Sequence, residues 1–230
     1  MRLLLCSDFK NVGYKYLNKF FDTSKAHNCL FIGYASDDFG NENAEIGSSE
    51  VRLNTLNFNV IQLNEAYDFS DKIDLIFVRG GNTTKLIYLL KKYKQFEKID
   101  ELVKSGVVYV GESAGAVLAG SDTEWTLRTE PFEINVKSEF GKNALLGYNY
   151  VNKLIFVHCS KLGFPFGRKI NDALFRVNNV YYKDYLGDLK IYPKDSFITL
   201  GNNQVYYVNG QTKKIITYDW SKIPVKKNYN

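Results

Sequence analysis

The chain has 230 residues, of which 45% are hydrophobic and 24% are charged. This composition is typical of a globular protein and excludes an intrinsically disordered chain. The net charge of +5 comes from 30 basic and 25 acidic residues that are interspersed along the sequence. Such a mixture favours a mildly basic solvated surface over a nucleic-acid interface, so we expect no nucleic-acid partner.

Neither a membrane segment nor a secretory signal is predicted. No run approaches the roughly 18 apolar residues that a membrane helix needs, and the segment MRLLLCSDFK is interpreted as a first strand. The cysteines Cys6, Cys29 and Cys159 are odd in number and lack the spacing of metal ligands. This usage is typical of a reducing compartment. We therefore expect a cytoplasmic protein without a membrane partner.

Short apolar strands alternate with amphipathic helices through the first half of the chain, as in a parallel sheet covered by helices. The predicted strands are RLLLC, CLFIGYAS, NVIQL, KIDLIFVRGG and VVYVG, and the predicted helices cover about residues 14–21, 50–56, 83–93 and 96–106. Strands and hairpins are predicted in NYVNKLIFVHCS and SFITLGNNQVYYVNGQTKKIITYDW, with one further helix in RKINDALFRVNN.

The predicted fold class is α/β, a three-layer sandwich with a mostly parallel central sheet, helices on both faces, and antiparallel strands or hairpins in the C-terminal part. The sequence contains no Pro/Gly/Ser-rich linker and no internal repeat. We therefore predict a single domain over residues 1–221, followed by a basic tail at residues 222–230.

The fifth predicted strand runs directly into a Gly-x-Ser-x-Gly turn in the segment VVYVGESAGAVLAG. Gly111 and Gly115 flank Ser113, and small residues behind the serine let a helix begin close beneath the strand end. This arrangement is typical of a nucleophile elbow, in which a strained turn exposes the serine hydroxyl. The alternative is a tight strand-to-helix crossover in which Ser113 is only a helix N-cap.

A serine nucleophile needs a base, which at neutral pH is usually histidine. The chain has two histidines. His27 lies in the polar stretch SKAHNC and is predicted in a surface loop. His158 follows the apolar run LIFV, at a strand end, where parallel-sheet proteins carry their sites. We therefore predict that His158 pairs with Ser113; the alternative is a half-buried histidine bonded only to backbone.

Backbone N–H groups for an oxyanion are predicted at two glycine-rich turns. The Ala114 N–H lies directly after the serine. A second donor is expected in VRGGNTTKL, where Gly80 and Gly81 leave their N–H groups open to a ligand. The same segment also fits a helix start with Asn82 or a following threonine as N-cap, and the two interpretations are compatible.

The segments RGGNTTKL, GESAGAVLAG and FVHCS, in this order and spacing, resemble the peptidase E family and its close relative cyanophycinase. The resemblance covers about residues 3–210 and implies a fold similar to class I glutamine amidotransferases. It implies a cytoplasmic serine peptidase that removes N-terminal aspartate from dipeptides without a metal or cofactor. By position, Ser113 resembles the nucleophile, His158 the base, and Gly81 and Ala114 the oxyanion donors.

Asn202 is the main departure from the family pattern, which has glutamate or aspartate at the matching position. A carboxylate orients the imidazole and stabilises the imidazolium formed during attack, whereas a neutral amide only orients it. Three interpretations follow: a slow enzyme, an enzyme that borrows Asp195 or Asp188, or a binding protein without catalysis. We favour retained hydrolase activity.

Substrate preference is predicted from three further residues. Arg168 lies about where the family carries a basic residue after the histidine, with a solvated arginine as the alternative. Asn82 is the second predicted substrate-binding residue. Arg128 occupies a position where an acidic contact to the substrate's amino terminus is expected, which argues against N-terminal-aspartate specificity. We therefore expect a small peptide or amide as substrate, and the oligomeric state is left open, a homodimer included.

An esterase of the α/β-hydrolase type is a weaker alternative. That fold uses the same elbow but places its acid before the histidine in the chain. The acid would then come from the segment between Ser113 and His158, whose candidates are Asp122, Glu124, Glu130, Glu133 and Glu139.

Overall fold

Most strands of the protein belong to one sheet. The structure is a computed structural model that describes residues 1–36, 48–128, 130, 132–159 and 194–219. The strands within these ranges are β1 (Arg2–Cys6), β2 (His27–Ile32), β3 (Phe58–Gln62), β4 (Leu75–Val78), β5 (Val108–Glu112), β6 (Leu154–Phe156), β7 (Phe197–Thr199), β8 (Gln204–Asn209) and β9 (Thr212–Thr217).

Seven of these strands form a sheet in the order β3-β2-β4-β5-β1-β8-β9. The pairs from β3 to β1 are parallel, whereas β8 is antiparallel to both β1 and β9. In this register Cys6 at the end of β1 lies opposite Glu112 at the end of β5. The carboxyl ends of β1, β4 and β5 therefore meet at one edge of the sheet, where parallel sheets place their ligand sites.

The helices lie against both faces of the sheet. The α-helices of the described ranges are α1 (Ser48–Asn54), α2 (Thr83–Lys92), α3 (Phe96–Lys104), α4 (Ala114–Leu118) and α5 (Val136–Phe140), and 3-10 helices cover Gly13–Lys19, Glu124–Arg128 and Lys194–Ser196. Strand residues alternate between the faces, so that Leu3 and Leu5 of β1 join one buried cluster while Leu4 and Cys6 join the other.

Each buried cluster is covered by its own helices. Helices α2 to α5 pack on the face that carries Leu3 and Leu5, and the first 3-10 helix and α1 contribute Leu17 and Leu53 to the other face. The predicted α/β three-layer fold with a mostly parallel sheet is therefore confirmed, as are its antiparallel C-terminal strands. The hairpin of β8 and β9 turns at Gly210 and Gln211, within the predicted NGQ turn.

The structure differs from the sequence prediction in several elements, since the helices Glu124–Arg128, Val136–Phe140 and Lys194–Ser196 were not predicted. The first predicted helix is a 3-10 helix, Gly13–Lys19. In addition, β6 and β7 form a separate parallel two-stranded sheet. The predicted helix RKINDALFRVNN and the basic tail lie outside the described residues, and the single domain over residues 1–221 stays a prediction.

Candidate active site

Ser113 occupies a strained turn between β5 and α4. Its φ of 49° and ψ of −108° are unusual for a residue with a side chain. Its N–H donates to Cys6 O at 2.9 Å, which anchors the turn to the neighbouring strand β1. The side chain of Ser113 caps no N–H of α4. The hydroxyl therefore remains free for contacts at the sheet edge.

The flanking glycines explain how strand and helix approach so closely. A Cβ on Gly115 would lie 2.2 Å from Val78 O of β4, and one on Gly111 would lie 2.4 Å from Gly115 O. Both contacts are far inside van der Waals distance and involve backbone atoms that cannot rotate away. The two glycines are therefore required by backbone packing, and this packing forces the abrupt turn that exposes Ser113.

A chain of two hydrogen bonds joins Ser113, His158 and Asn202. Ser113 Oγ lies 3.0 Å from His158 Nε2, and His158 Nδ1 lies 2.8 Å from Asn202 Oδ1. His158 follows β6 and Asn202 follows β7, so the small parallel sheet brings these two side chains to the elbow. The predicted nucleophile, the predicted base and the residue at the position of the family's acid are therefore adjacent in the structure.

The contact with Asn202, whose amide oxygen is turned toward the ring, is compatible with one tautomer of the imidazole. An amide oxygen accepts hydrogen bonds only, so the Nδ1 that faces it carries the proton and donates. Nε2 then holds a lone pair and accepts the hydroxyl proton of Ser113. This is the tautomer that a general base requires, although Asn202 brings no negative charge to it.

No carboxylate among the described residues bonds to the ring of His158. Asp195 is exposed in the 3-10 helix Lys194–Ser196, and Asp188 lies outside the described residues. The Glu130 carboxylate accepts the Thr83 N–H at 2.6 Å instead. The remaining acids proposed for an α/β-hydrolase also make no bond to His158; they are Asp122, Glu124, Glu133 and Glu139. The geometry gives the α/β-hydrolase alternative no support.

The glycine turn after β4 faces the nucleophile. A Cβ on Gly80 would lie 2.9 Å from the Cβ of Ser113, so only glycine leaves the hydroxyl accessible there. Gly81 has a φ of +139°, and a Cβ on it would lie 2.0 Å from Ala35 O. The N–H groups of Gly81 and Ala114 donate to no backbone acceptor within the described part of the chain, which leaves both available to a ligand.

Asn82 is the N-cap of α2. Its Oδ1 accepts the Lys85 N–H at 2.9 Å, and its Nδ2 donates to Glu130 O at 3.4 Å. The amide therefore holds the helix start that follows the glycine turn, and its predicted contact with substrate stays a prediction. Arg168 and the side chain of Arg128 lie outside the described residues.

Ser113, His158 and Asn202 open into one cavity of about 320 Å³. Both signs of charge line this cavity beyond the three residues, on the side chains of Asp8, Lys10, Arg79 and Glu112. A second cavity, of about 270 Å³, lies against α5 and contains no residue of the predicted site. The described residues contain no cluster of three or more His, Cys, Asp or Glu that could hold a metal ion.

Glu112 is a half-buried carboxyl group next to Ser113 that sequence reasoning missed. Its Oε1 accepts the Phe9 N–H and its Oε2 accepts the Ser49 hydroxyl, both at 2.9 Å. Burial raises the pKa of Glu112 above its ordinary value, and the nearby Asp8 adds to this effect. The signal available in the sequence was a glutamate between Gly111 and Ser113. A carboxyl group enclosed at such a turn usually has hydrogen-bond partners.

Cys159 directly follows His158 in the chain, but its thiol is not activated as a nucleophile. Burial raises its pKa to about 12, so the thiolate is scarce near neutral pH. All three cysteines are free thiols. No described helix is long and apolar enough to cross a membrane.

Comparison with known proteins gives the same family along most of the chain. Residues 3–163 match the model of peptidase family S51. The chain is 39% identical over 103 residues to peptidase E of Shewanella amazonensis, covering 43% of each protein. It is 30% identical over 131 residues to peptidase E of Haemophilus influenzae, covering 53% of this chain and 59% of that one. The chain thus matches about half the length of these curated relatives.

Two crystal structures share the fold. One is a 1.5 Å structure of a candidate peptidase E protein from Listeria monocytogenes, with a TM-score of 0.67, 21% identity, and coverage of 95% of this chain and 98% of that one. The other is a peptidase from an acI-B1 Actinobacterium, with a TM-score of 0.53, 15% identity and coverage of 94% of each chain. With the family match over residues 3–163, the predicted resemblance is confirmed: the chain belongs to peptidase family S51.

Proposed function

We propose that the chain is a serine peptidase that hydrolyses a small peptide or amide through an acyl-enzyme on Ser113. The observation that carries the proposal is the hydrogen-bond chain from Ser113 Oγ through His158 to Asn202, with separations of 3.0 and 2.8 Å. Membership of peptidase family S51 supports the same class of reaction.

In the proposed acylation, His158 Nε2 accepts the proton of Ser113 Oγ while Oγ bonds to the substrate carbonyl carbon. The carbonyl oxygen becomes an oxyanion and accepts hydrogen bonds from the N–H groups of Gly81 and Ala114. The C–N bond then breaks, and His158 returns its proton to the leaving amine. A water molecule repeats the sequence against the acyl group and restores the Ser113 hydroxyl.

Asn202 makes this machinery slower than that of a peptidase with an acid at this position. During attack His158 becomes a cation, and the neutral amide lacks the charge that would stabilise it. In serine proteases of the chymotrypsin type, replacing the triad acid by its amide lowers kcat by about 10⁴-fold, but that loss includes the effect of a wrong histidine tautomer. It is therefore an upper bound for a site in which Asn202 Oδ1 faces Nδ1. We therefore propose a weakly active hydrolase rather than a fast one.

The proposed substrate is small because the cavity is small. Ligand pockets usually enclose about 300–1,000 Å³, and the cavity at Ser113 has about 320 Å³. Its mixture of acidic and basic side chains suits a ligand that carries charges of both signs, such as a short peptide. The three free cysteines support action in the cytoplasm, where thiols stay reduced.

Labelling with a fluorophosphonate probe tests the proposal. We expect the probe to modify Ser113 of the wild type, and the Ser113→Ala substitution to abolish labelling and turnover of dipeptide substrates. His158→Ala should lower the labelling rate by at least about 100-fold, whereas His27→Ala, at the only other histidine of the chain, should leave it unchanged. Equal inertness of the wild type and Ser113→Ala would exclude hydrolysis as the function.

A non-catalytic binding protein is the second candidate, favoured by the neutral amide at position 202. Such a protein would use the same cavity and the N–H groups of Gly81 and Ala114 to hold a peptide-like ligand. Dipeptide binding measured by calorimetry separates the two functions. Affinity that survives Ser113→Ala, together with absent turnover by the wild type, would favour binding over hydrolysis.

A further inference from the structure

Ser7 joins the main sheet to the segment that carries the histidine. It follows β1 directly, and only 3% of its surface is exposed. Its Oγ accepts the His158 N–H at 3.0 Å and donates to Leu200 O at 3.0 Å. The hydroxyl therefore has one acceptor bond and one donor bond, each to a backbone group near the end of a strand in the small sheet.

The residue before Ser7 holds the nucleophile. Cys6 O accepts the Ser113 N–H at 2.9 Å, so two consecutive residues at the end of β1 bind the backbones of Ser113 and His158. We propose that Ser7 is a positioning residue that keeps His158 Nε2 within reach of Ser113 Oγ. Its kinetic consequence rests on the proposed function, whereas its geometric consequence does not.

The conformation of His158 explains why such a contact is needed. Its φ of 57° lies in the left-handed region, which is unfavourable for a residue with a side chain. The side chain is also exposed, so packing holds the ring only weakly. Among the described residues, Ser7 is the only side chain bonded to the backbone of His158.

The same hydroxyl also reaches the segment that leads to Asn202. Leu200 lies two residues before Asn202, and its carbonyl accepts both the Ser7 hydroxyl and the Cys159 N–H, the latter at 2.9 Å. Loss of the hydroxyl would leave the His158 N–H without its partner and weaken the hold on Leu200 O. Because Asn202 has no charge to attract the imidazole, the alignment of His158 with Ser113 depends on these neutral hydrogen bonds.

Probe labelling tests the kinetic consequence. We expect Ser7→Ala to lower the rate of fluorophosphonate labelling at Ser113 by about 10- to 100-fold. In the His158→Ala background, the same substitution should change the residual rate by less than about twofold, because Ser7 acts through the histidine. Thr123→Val is the matched control, since it removes another buried hydroxyl bonded to a backbone carbonyl, Leu145 O at 2.8 Å, and should leave labelling within twofold of the wild type.

Nitrogen NMR of the histidine rings tests the geometric consequence without catalysis. In the wild type, His158 should show a protonated Nδ1 and an unprotonated Nε2 as two separate signals. In Ser7→Ala these signals should converge, because a loosened ring exchanges its tautomers, while the signals of His27 stay in place. Ser7→Cys, whose thiol is a weaker donor, should give an intermediate result and carries the test if Ser7→Ala does not fold.

The two measurements separate the two claims. A wild type that the probe does not label refutes the proposed hydrolysis, and the NMR comparison still decides the role of Ser7. Unchanged His158 signals in the Ser7 variants would overturn the positioning role. So would a loss of labelling that is equally large in the His158→Ala background, because Ser7 would then act on the fold and not on the histidine.

Discussion

The elbow that carries Ser113 and the segment that carries His158 and Asn202 are held in different ways. Ser113 is fixed by backbone atoms, since Gly111 and Gly115 allow main chains to meet where a Cβ would lie 2.2 to 2.4 Å from an oxygen. His158 and Asn202 are exposed and follow strands of only three residues. The position of the nucleophile thus depends on backbone packing, whereas the position of the base depends on side-chain hydrogen bonds.

The largest expected effect comes from filling the space inside the elbow. Gly115→Val places a branched side chain against Val78 O, and we expect the free energy of unfolding to fall by about 3 kcal/mol or more. Urea denaturation monitored by fluorescence measures the change. Gly210→Asn is the control, because nothing lies within 4 Å of a Cβ there and only the positive φ of 59° opposes the change; asparagine adopts such a conformation more readily than most residues, so the effect should stay at about 1 kcal/mol.

A stability difference of about 2 kcal/mol or more between these two glycine variants would show that the elbow depends on backbone packing. If Gly115→Val unfolds at the same urea concentration as the wild type, strand and helix can separate without cost. Backbone packing would then not be what fixes the position of Ser113.

A smaller difference is expected between the free energies of local opening of the elbow and of the segment that carries His158 and Asn202. The Ser113 N–H is bonded to Cys6 O of the seven-stranded sheet at 2.9 Å, and the Leu200 N–H to Phe156 O of the two-stranded sheet at 2.8 Å. Opening the two-stranded sheet breaks fewer strand contacts than opening the seven-stranded one. We therefore expect the opening free energy for hydrogen exchange at the Leu200 amide to be about 1–3 kcal/mol lower than that at the Ser113 amide. Native-state hydrogen exchange followed by NMR measures both. Slower exchange at Leu200 would mean that the histidine segment is the more rigid one.

The smallest expected effect is a pH dependence at Glu112. Because burial raises its pKa above the ordinary 4.5, the folded state binds the proton more tightly than the unfolded state. This contribution to stability is present at low pH and is lost as the pH rises through the raised pKa. The free energy of unfolding of the wild type relative to Glu112→Gln should therefore fall by about 1 kcal/mol or less between about pH 4.5 and 7. A relative stability that rises over this range would contradict a raised pKa.

The sequence predicted those parts of the protein that depend on local pattern. Buried strands such as Leu75–Val78 are continuous apolar runs, and the glycines around Ser113 mark a turn that local backbone geometry dictates. The fold class and the family followed from these features. The pairing of Ser113 with His158 was predicted from the elbow and from the scarcity of histidines, and the place of Asn202 behind them from the resemblance. Separations of 45 and 44 residues carry no local signal.

Contacts between distant parts of the chain were not predictable from a single sequence. Ser7 bonds to a residue 151 positions away, and Glu112 accepts a hydrogen bond from Phe9, 103 positions away. The pairing of β6 with β7 was missed for a related reason, because it joins segments about 43 residues apart in the chain. Such features arise from the packing of whole elements, which periodicity does not encode.

The central claim is that a working elbow and base are limited by the neutral amide behind the histidine. The most direct measurement is the second-order rate constant for fluorophosphonate labelling of Ser113 in the wild type and in Asn202→Asp. Aspartate has the shape of asparagine and should keep the 2.8 Å bond to His158 Nδ1 while adding the missing charge. Asn209→Asp is the control, because it adds the same charge to the opposite end of β8, across from Arg2.

We expect Asn202→Asp to raise the rate at least about tenfold, with about 10⁴-fold as the upper bound set by known serine-protease triads. Asn209→Asp should stay within twofold of the wild type. A rate that is unchanged or lower in Asn202→Asp would contradict the central claim, because Asn202 would then not be what limits Ser113 and His158.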